Sequence, residues 1–182
     1  MSTVIAAIID GSLHMCGDTA GSYSNGTLVH CNKVYDGGNY LLGVCGAREP
    51  YLSMCYDFHL PPDIGLSKTD YIAGPLRSAM KSVLGEVKED SYTLVLAFYY
   101  HGEPCLIELD GGVYAMEDVT HLRWVCSGTG REVALGAMSI LMTVLMTGYM
   151  DTRRLLEEAL LVCCTHNAFT AAPLVYYSMT QP

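Results

Sequence analysis

Short apolar runs separated by turn residues divide this chain into strands that are joined as hairpins. Val4–Ile9 and Leu13–Cys16 flank Asp10-Gly11, a dipeptide typical of two-residue hairpin turns. Two Asp-Gly-Gly sequences, which begin at Asp36 and Asp110, end later apolar runs in the same way. Because tight turns join antiparallel neighbours, we expect antiparallel sheets rather than a wound parallel sheet.

Strands and helices come in separate blocks along the chain. The further predicted strands are Leu28–Tyr35, Tyr40–Cys45, Tyr92–Tyr99, Cys105–Leu109, Val113–Met116, Leu122–Cys126 and Leu174–Met179, and the predicted helices are Arg48–Phe58, Lys68–Leu84, Gly130–Thr147 and Asp151–His166. Pro75 is expected to limit where the second helix begins. Segregated blocks favour an α+β fold with two sheets between two layers of helices, in one domain over residues 1–182.

The acidic, apolar composition excludes several classes of protein. With 10 Lys and Arg against 19 Asp and Glu, the net charge of −9 offers no basic surface for nucleic acid. A hydrophobic content of 51% excludes a disordered chain. The uncharged stretch Val133–Met150 only just reaches the length of a membrane-spanning helix, and polar residues interrupt it. We therefore expect a buried helix there and no association with a membrane.

The eight cysteines indicate a reducing compartment. Most of them lie inside apolar runs and no CxxC pair occurs, which favours buried thiols in a cytoplasmic protein over disulfides. The N-terminal sequence also lacks the basic segment of a signal peptide. Cys163, Cys164 and His166 have no second cluster of metal ligands, so helix packing explains them better. We expect no metal and no cofactor.

The first candidate site lies at the N-terminus. Ser2 follows the initiator Met, and removal of Met1 leaves a free amine beside a hydroxyl, so one residue can supply both base and nucleophile. Asp18 ends the second strand of the opening hairpin and returns to the start of the first strand. Lys33 lies among uncharged residues, and Asp18 is its obvious partner. Such a pair can be purely structural, but beside a free amine the cation would lower the pKa of that amine and favour the neutral base.

Six short motifs occur in one order along nearly the whole chain. They are Ser2-Thr3-Val4-Ile5, Gly17-Asp18-Thr19-Ala20, Asn32-Lys33-Val34, Leu42-Gly43-Val44-Cys45-Gly46, Cys126-Ser127-Gly128-Thr129-Gly130 and Asn167-Ala168-Phe169-Thr170. In this order they resemble the proteasome β-subunit family, and within it the short HslV-type bacterial and phage subunits. The resemblance implies an N-terminal-nucleophile hydrolase with a four-layer αββα sandwich, assembled into rings that enclose the active sites.

The resemblance also implies roles for individual residues. Ser2 would be the nucleophile, Asp18 and Lys33 would tune it, and Ser127 would bond to the terminal amine. Asn167 and Thr170 would support the terminus, and the N–H of Gly46 or of its neighbour Ala47 would bind the oxyanion. Ser22 would bind the substrate backbone, and Cys45 would line the specificity pocket. Thr3 has the family's usual side chain, but it lies on the opposite face of the strand and is rejected as nucleophile.

Departures from the family pattern keep other functions open. Serine replaces the usual threonine, Asn167 stands where the family has an aspartate, and Thr170 stands where it often has a serine. If Met1 stays, Ser2 has an amide instead of an amine and the proposed base is lost. We expect a peptidase acting on peptides or unfolded proteins inside a homo-oligomeric ring, with an ATP-driven unfoldase as the partner that the resemblance implies. The alternatives are an inactive ring or scaffold subunit and a hydrolase of small amides.

Overall fold

The order of strands and helices follows the predicted blocks in the computed structural model, which describes residues 2–22, 28–85, 92–110, 113–166 and 170–181, with backbone alone at 22, 28 and 114. The strands are β1 (Thr3–Ile9), β2 (Ser12–Asp18), β3 (Ala20–Ser22), β4 (Leu28–His30), β5 (Val34–Asp36), β6 (Tyr40–Gly46), β7 (Tyr92–Tyr100), β8 (Glu103–Asp110), β9 (Met116–Asp118), β10 (Trp124–Gly128) and β11 (Leu174–Met179). The α-helices are α1 (Arg48–Tyr56), α2 (Lys68–Tyr71), α3 (Arg77–Leu84), α4 (Arg131–Leu145) and α5 (Thr152–His166).

The first sheet has the strand order β10-β1-β2-β11, and each neighbouring pair is antiparallel. Asp10 and Gly11 form the turn between β1 and β2 with φ angles of 50° and 77°, the left-handed pair that a two-residue hairpin turn requires. The register sets Thr3 opposite Gly128 of β10 and Leu174 of β11 opposite Asp18. The start of β1 and the end of β2 therefore share one end of the sheet.

The second sheet has the order β5-β6-β7-β8-β9, again with antiparallel neighbours. The strands β3 and β4 form a separate two-stranded ribbon. In β6, alternate residues face opposite sides of the sheet. Leu42 and Val44 pack toward α1 and α3, whereas Leu41 and Cys45 pack toward the first sheet.

Three apolar clusters hold four layers together. One joins the second sheet to α1 and α3, and it includes Met54, Leu76 and Met80. Another joins the first sheet to α4 and α5, through residues such as Met138 and Leu160. The third fills the space between the two sheets. The layers follow the order helix, sheet, sheet, helix, which confirms the predicted α+β fold with an αββα sandwich.

The predicted helix over the uncharged stretch is present as α4, and its buried residues face the first sheet. None of the helices in the described ranges combines the length and the apolar character needed to cross a membrane. Cys163 lies buried in α5, the helix that packs beside α4, and its thiol donates to the carbonyl of Ala159 at 3.3 Å. The thiol thus packs within the helix layer, as expected.

The predicted strand Leu28–Tyr35 is wrong as a single element, because the chain passes from the small ribbon to the second sheet within it. Between β4 and β5, the N–H of Cys31 donates to the carbonyl of Thr19 at 2.9 Å. The carbonyl of Lys33 accepts from the N–H of Val44 at 2.8 Å. Each end of the segment thus has different hydrogen-bonding partners.

Two smaller predictions also require correction. Pro75 does not limit the start of the second helix, since α2, a π-helical turn Ile72–Leu76 and α3 follow one another without a break. A π turn shifts the backbone hydrogen-bond pattern and so tolerates the missing N–H of proline. The predicted strand Val113–Met116 is a 3₁₀ turn over Val113–Ala115, and the strand begins only at Met116.

Candidate active site

The two sheets approach each other closely at the end of the sandwich where β1 begins. A Cβ atom at Gly43 would lie 2.5 Å from Cγ1 of Val4, and one at Gly17 would lie 3.3 Å from Cβ of Lys33. Only glycine leaves the space for this approach. As a result, Lys33, which precedes β5, packs against Gly17 of β2, the residue before Asp18.

Ser2 is fully buried at this end, with 0% of its surface exposed. Its carbonyl oxygen accepts a hydrogen bond from the N–H of Thr129 at 2.9 Å, and the Thr129 hydroxyl lies 3.5 Å from the same oxygen. Ser2 Oγ forms no hydrogen bond within ordinary distance and angle limits to the described part of the chain. A buried hydroxyl without a well-formed hydrogen bond is uncommon in a folded protein.

Cys45 links Ser2 to the charged residues nearby. Burial raises the pKa of Cys45 to about 12, while the neighbouring Ser2 hydroxyl and the charge of Lys33 act in the opposite direction. The charge of Asp18 raises this pKa further. Its thiol also donates to the carbonyl of Ser127 at 3.5 Å. Ser2, Asp18 and Lys33 therefore lie within electrostatic range of a single neutral thiol.

Asp18 ties three segments of backbone together. Its Oδ1 accepts from the N–H of Thr3 at 2.7 Å, and its Oδ2 accepts from Ala20 at 2.9 Å and from Ala171 at 3.4 Å. Burial raises the pKa of Asp18, and these hydrogen bonds and the charge of Lys33 oppose that shift. Lys33 is 7% exposed, and the ion pairs among described residues do not join its ammonium directly to Asp18. The predicted pairing is thus an attraction at longer range.

Ser2 and Thr3 face opposite ways, as the alternation along a strand predicts. The hydroxyls of Thr3 and Thr170 share a hydrogen bond of 2.7 Å on the face away from Cys45. Thr170 is buried and reaches the terminus through Thr3 rather than through the Ser2 hydroxyl. Asn167, the other residue expected there, lies outside the described residues.

Ser127 lies close to the terminus but its hydroxyl has another partner. Ser127 pairs with Val4 across β10 and β1, and its Oγ shares a hydrogen bond of 2.6 Å with Oγ1 of Thr93 in the second sheet. Thr129, which was not among the predicted site residues, bonds to the backbone of Ser2. The register offers the missing signal, because Thr3 lies opposite Gly128 and the residue that follows β10 therefore lies beside Ser2.

A cleft of about 790 Å³ opens next to this cluster, within the size range of small-molecule and peptide sites. Its lining consists of Gly21, Val29, His30, Cys31, Asn32, Lys33, Val44, Gly46, Ala47, Arg48, Tyr51, Leu52 and Tyr56. Gly46 and Ala47, the two candidates for the oxyanion-binding N–H, both lie here, and Gly46 has a φ of 107° that favours glycine.

Cys45 does not line this cleft, and its place in a specificity pocket stays a prediction. Cys45 faces the space between the sheets, and its neighbour Val44 lines the cleft instead, because adjacent residues of a strand face opposite sides. Ser22 pairs through its backbone with Leu28 in the ribbon, and Gly21 lines the cleft beside it. The ribbon therefore lies at the cleft. The side chain of Ser22 is outside the described structure.

Solved structures provide the comparison that decides the fold. The BPH protein of Thiobacillus denitrificans in complex with epoxomicin has a TM-score of 0.73 and 14% identity, covering 99% of both chains. A second structure of the same protein has a TM-score of 0.71 and 14% identity, covering 99% of this chain and 98% of its own. Eukaryotic HslV from Trypanosoma brucei has a TM-score of 0.68 and 14% identity, covering 98% of this chain and 99% of its own. The chain has the HslV-type proteasome-like fold.

Comparisons of sequence alone add nothing to this result. No family model matches the chain, and no curated protein matches it. The proteasome-like fold therefore persists here at an identity of 14%, at which likeness establishes the fold and leaves the chemistry to the residues of this chain.

Asp18 is expected to be essential for the local structure at this end of the sandwich. Replacement by alanine (Asp18→Ala) leaves the N–H groups of Thr3, Ala20 and Ala171 without their acceptor, so we expect a loss of about 3 kcal/mol in the free energy of unfolding. Denaturant titration measures the effect. The matched control is Asp36→Ala, which removes a bond to Gly38 in an exposed turn. Equal losses in both variants would contradict the prediction.

Proposed function

We propose that this chain is a proteasome-like peptidase subunit in which Ser2 becomes the nucleophile after Met1 is removed. The observation that carries the proposal is the buried Ser2 hydroxyl, which lies beside the Cys45 thiol in the range of Asp18 and Lys33 and forms no hydrogen bond within ordinary distance and angle limits to the described residues. Thr129 fixes the backbone of Ser2 in this position. The shared fold with HslV and BPH supports the same assignment.

Removal of Met1 supplies the base that this chemistry needs. The new amine of Ser2 accepts the proton of its own hydroxyl while Oγ attacks the carbonyl carbon of the scissile peptide. The N–H of Gly46 stabilises the negative charge that forms on the carbonyl oxygen. The protonated amine then passes its proton to the leaving amine, and water hydrolyses the resulting ester to restore Ser2. Lys33 lowers the pKa of the amine, which keeps it neutral before the attack.

The subunit acts within a homo-oligomeric ring that encloses the active sites, and unfolded proteins are its substrates. Apolar side chains exposed on α4, α5 and the loop between them supply surface for subunit contacts: Ile140, Met146, Tyr149, Leu161 and Val162. An ATP-driven unfoldase delivers the substrates, and the protein works in the cytoplasm. The exposed apolar surface and the shared fold support this part of the proposal.

Intact-mass measurement tests the proposal directly. We expect the purified chain to lack the mass of Met1, and to gain the mass of one epoxomicin when it is treated with that compound, which the structure of Thiobacillus denitrificans BPH contains. The Ser2→Ala variant serves as the control and should lose Met1 without gaining the adduct. A chain that keeps Met1 and forms no adduct would contradict the proposal.

The second candidate is a ring subunit without catalytic activity. Asn167 in place of the expected aspartate favours it, as does the complete burial of Ser2. Retention of Met1 together with normal ring assembly would support this candidate. A third candidate, a hydrolase of small amides on the same fold, would cleave small amides but leave peptides intact.

A further inference from the structure

The cleft that Lys33 and Gly46 line carries positive charge in a protein that is otherwise strongly acidic. Lys33 and Arg48 are its charged lining residues, and His30 lines it as well. Within the described lining, no Asp or Glu is present, although acidic residues outnumber basic ones in the chain by 19 to 10. Residues 23–27, which join the two strands of the adjoining ribbon, contain no charged side chain in their sequence. The local charge thus opposes that of the whole molecule.

Arg48 is available for a ligand. It is exposed, and the ion pairs of the described residues do not include it. It is also the first residue of α1, where a cation is slightly unfavourable because the helix dipole presents positive charge at its N-terminus. Ala47, the preceding residue, supplies no side-chain cap to the free N–H groups of the first turn. Helix stability therefore does not explain an arginine here.

The other walls of the cleft suit a short aliphatic stem. Val29, Val44 and Leu52 line it with apolar surface, and Tyr51 adds an aromatic ring. A side chain that combines methylene groups with a carboxylate would contact these walls and place its charge near Arg48. Gly46, the proposed oxyanion donor, lines the same cleft. A substrate whose carbonyl oxygen is bound by the N–H of Gly46 would therefore place the side chain of that same residue in the cleft.

We propose that the cleft selects an acidic side chain, glutamate in particular, on the residue that supplies the scissile carbonyl, and that Arg48 determines this specificity. The inference rests on the proposed function, since it concerns the substrate of the Ser2 site. Lys33 adds to the positive potential of the cleft, but Arg48 is the exposed cation that contacts the substrate carboxylate.

Four peptide substrates that differ only at this residue test the inference. With Glu, Gln, Leu and Lys in this place, we expect the wild type to hydrolyse the Glu peptide with a kcat/KM about tenfold above that of its isostere Gln, the effect of one charge-assisted hydrogen bond. Raising the salt concentration should reduce this ratio, because an exposed charge is screened. A ratio near one in the wild type would overturn the inference.

Variants of Arg48 assign the effect to one residue. Arg48→Gln should bring the Glu and Gln peptides to equal kcat/KM, and Arg48→Glu should shift the preference to Lys. The control Arg154→Gln removes an exposed arginine of α5 that does not line the cleft, and it should keep the wild-type ratio. A Glu preference that survives in Arg48→Gln would overturn the inference.

A binding measurement separates this inference from the proposed function. Fluorescence anisotropy of labelled Glu and Gln peptides on the Ser2→Ala protein reports the cleft without requiring catalysis. If none of the four peptides is hydrolysed but the Glu peptide binds about tenfold tighter, the proposed function fails and the inference about the cleft holds. Hydrolysis of all four peptides at equal rates leaves the proposed function intact and overturns the inference.

Discussion

Replacement of Ser2 by alanine is expected to abolish peptide hydrolysis while leaving the fold intact. The change removes the attacking oxygen, so kcat/KM should fall by a factor on the order of 10³ or more, which corresponds to at least about 4 kcal/mol of transition-state stabilisation. The fold should be unaffected because Ser2 Oγ makes no hydrogen bond within the described structure, so little is lost when it is removed. Hydrolysis of a fluorogenic peptide amide measures the rate, and thermal unfolding measures the fold.

Two further variants make the interpretation of Ser2→Ala specific. Ser2→Thr keeps the hydroxyl and adds a methyl group that restricts its rotamers, so activity should remain within about tenfold of the wild type. Thr3→Val removes the hydroxyl that bonds to Thr170 on the other face, and it should lower stability by about 1 kcal/mol with activity largely retained. Unchanged turnover in Ser2→Ala, or complete loss in Thr3→Val with a stable fold, would identify the wrong nucleophile.

Local sequence signals predicted those strands and turns whose formation depends on residues within the element itself. The Asp10-Gly11 turn predicted the first hairpin, and the apolar run Leu174–Met179 predicted β11 with its observed bounds. Leu28–Tyr35 failed because nothing within it marks the passage from one sheet to another. The expected break at Pro75 is absent because a π turn accommodates the proline, and the local sequence does not predict such a turn.

The same distinction holds for the candidate site: features set by the local sequence were predicted, and a feature set by long-range strand pairing was missed. Strand alternation predicted that Ser2 and Thr3 face opposite sides, and the register of one hairpin predicted the return of Asp18. Thr129 was missed because its position beside Ser2 depends on the pairing of β1 with β10, which lie far apart in sequence. Cys45 faces the space between the sheets while its neighbour Val44 lines the cleft, since a shift of one residue reverses the face of a strand. The catalytic roles of these residues stay predictions.

Gly128 is expected to be the most sensitive glycine of the site. Its φ of 93° is strained for any L side chain, and a Cβ there would collide with the carbonyl oxygen of Ser2 and lie 2.8 Å from Sγ of Cys45. Gly128→Ala must therefore displace Ser2 from the position that Thr129 fixes. Because a displacement of about 1 Å can cost a factor of about 10² in rate, we expect at least that loss of kcat/KM together with lower stability.

The control Gly65→Ala isolates the effect of the collision from that of backbone strain. Gly65 has a φ of 76°, and a Cβ there would meet nothing within 4 Å, so the variant should lose about 1 kcal/mol of stability and keep its activity. Comparing kcat/KM for the two variants at a temperature where both are folded separates catalysis from unfolding. If Gly128→Ala retained as much activity as Gly65→Ala, the position of the Ser2 backbone would not limit the reaction, and the proposed nucleophile would lose its main structural support.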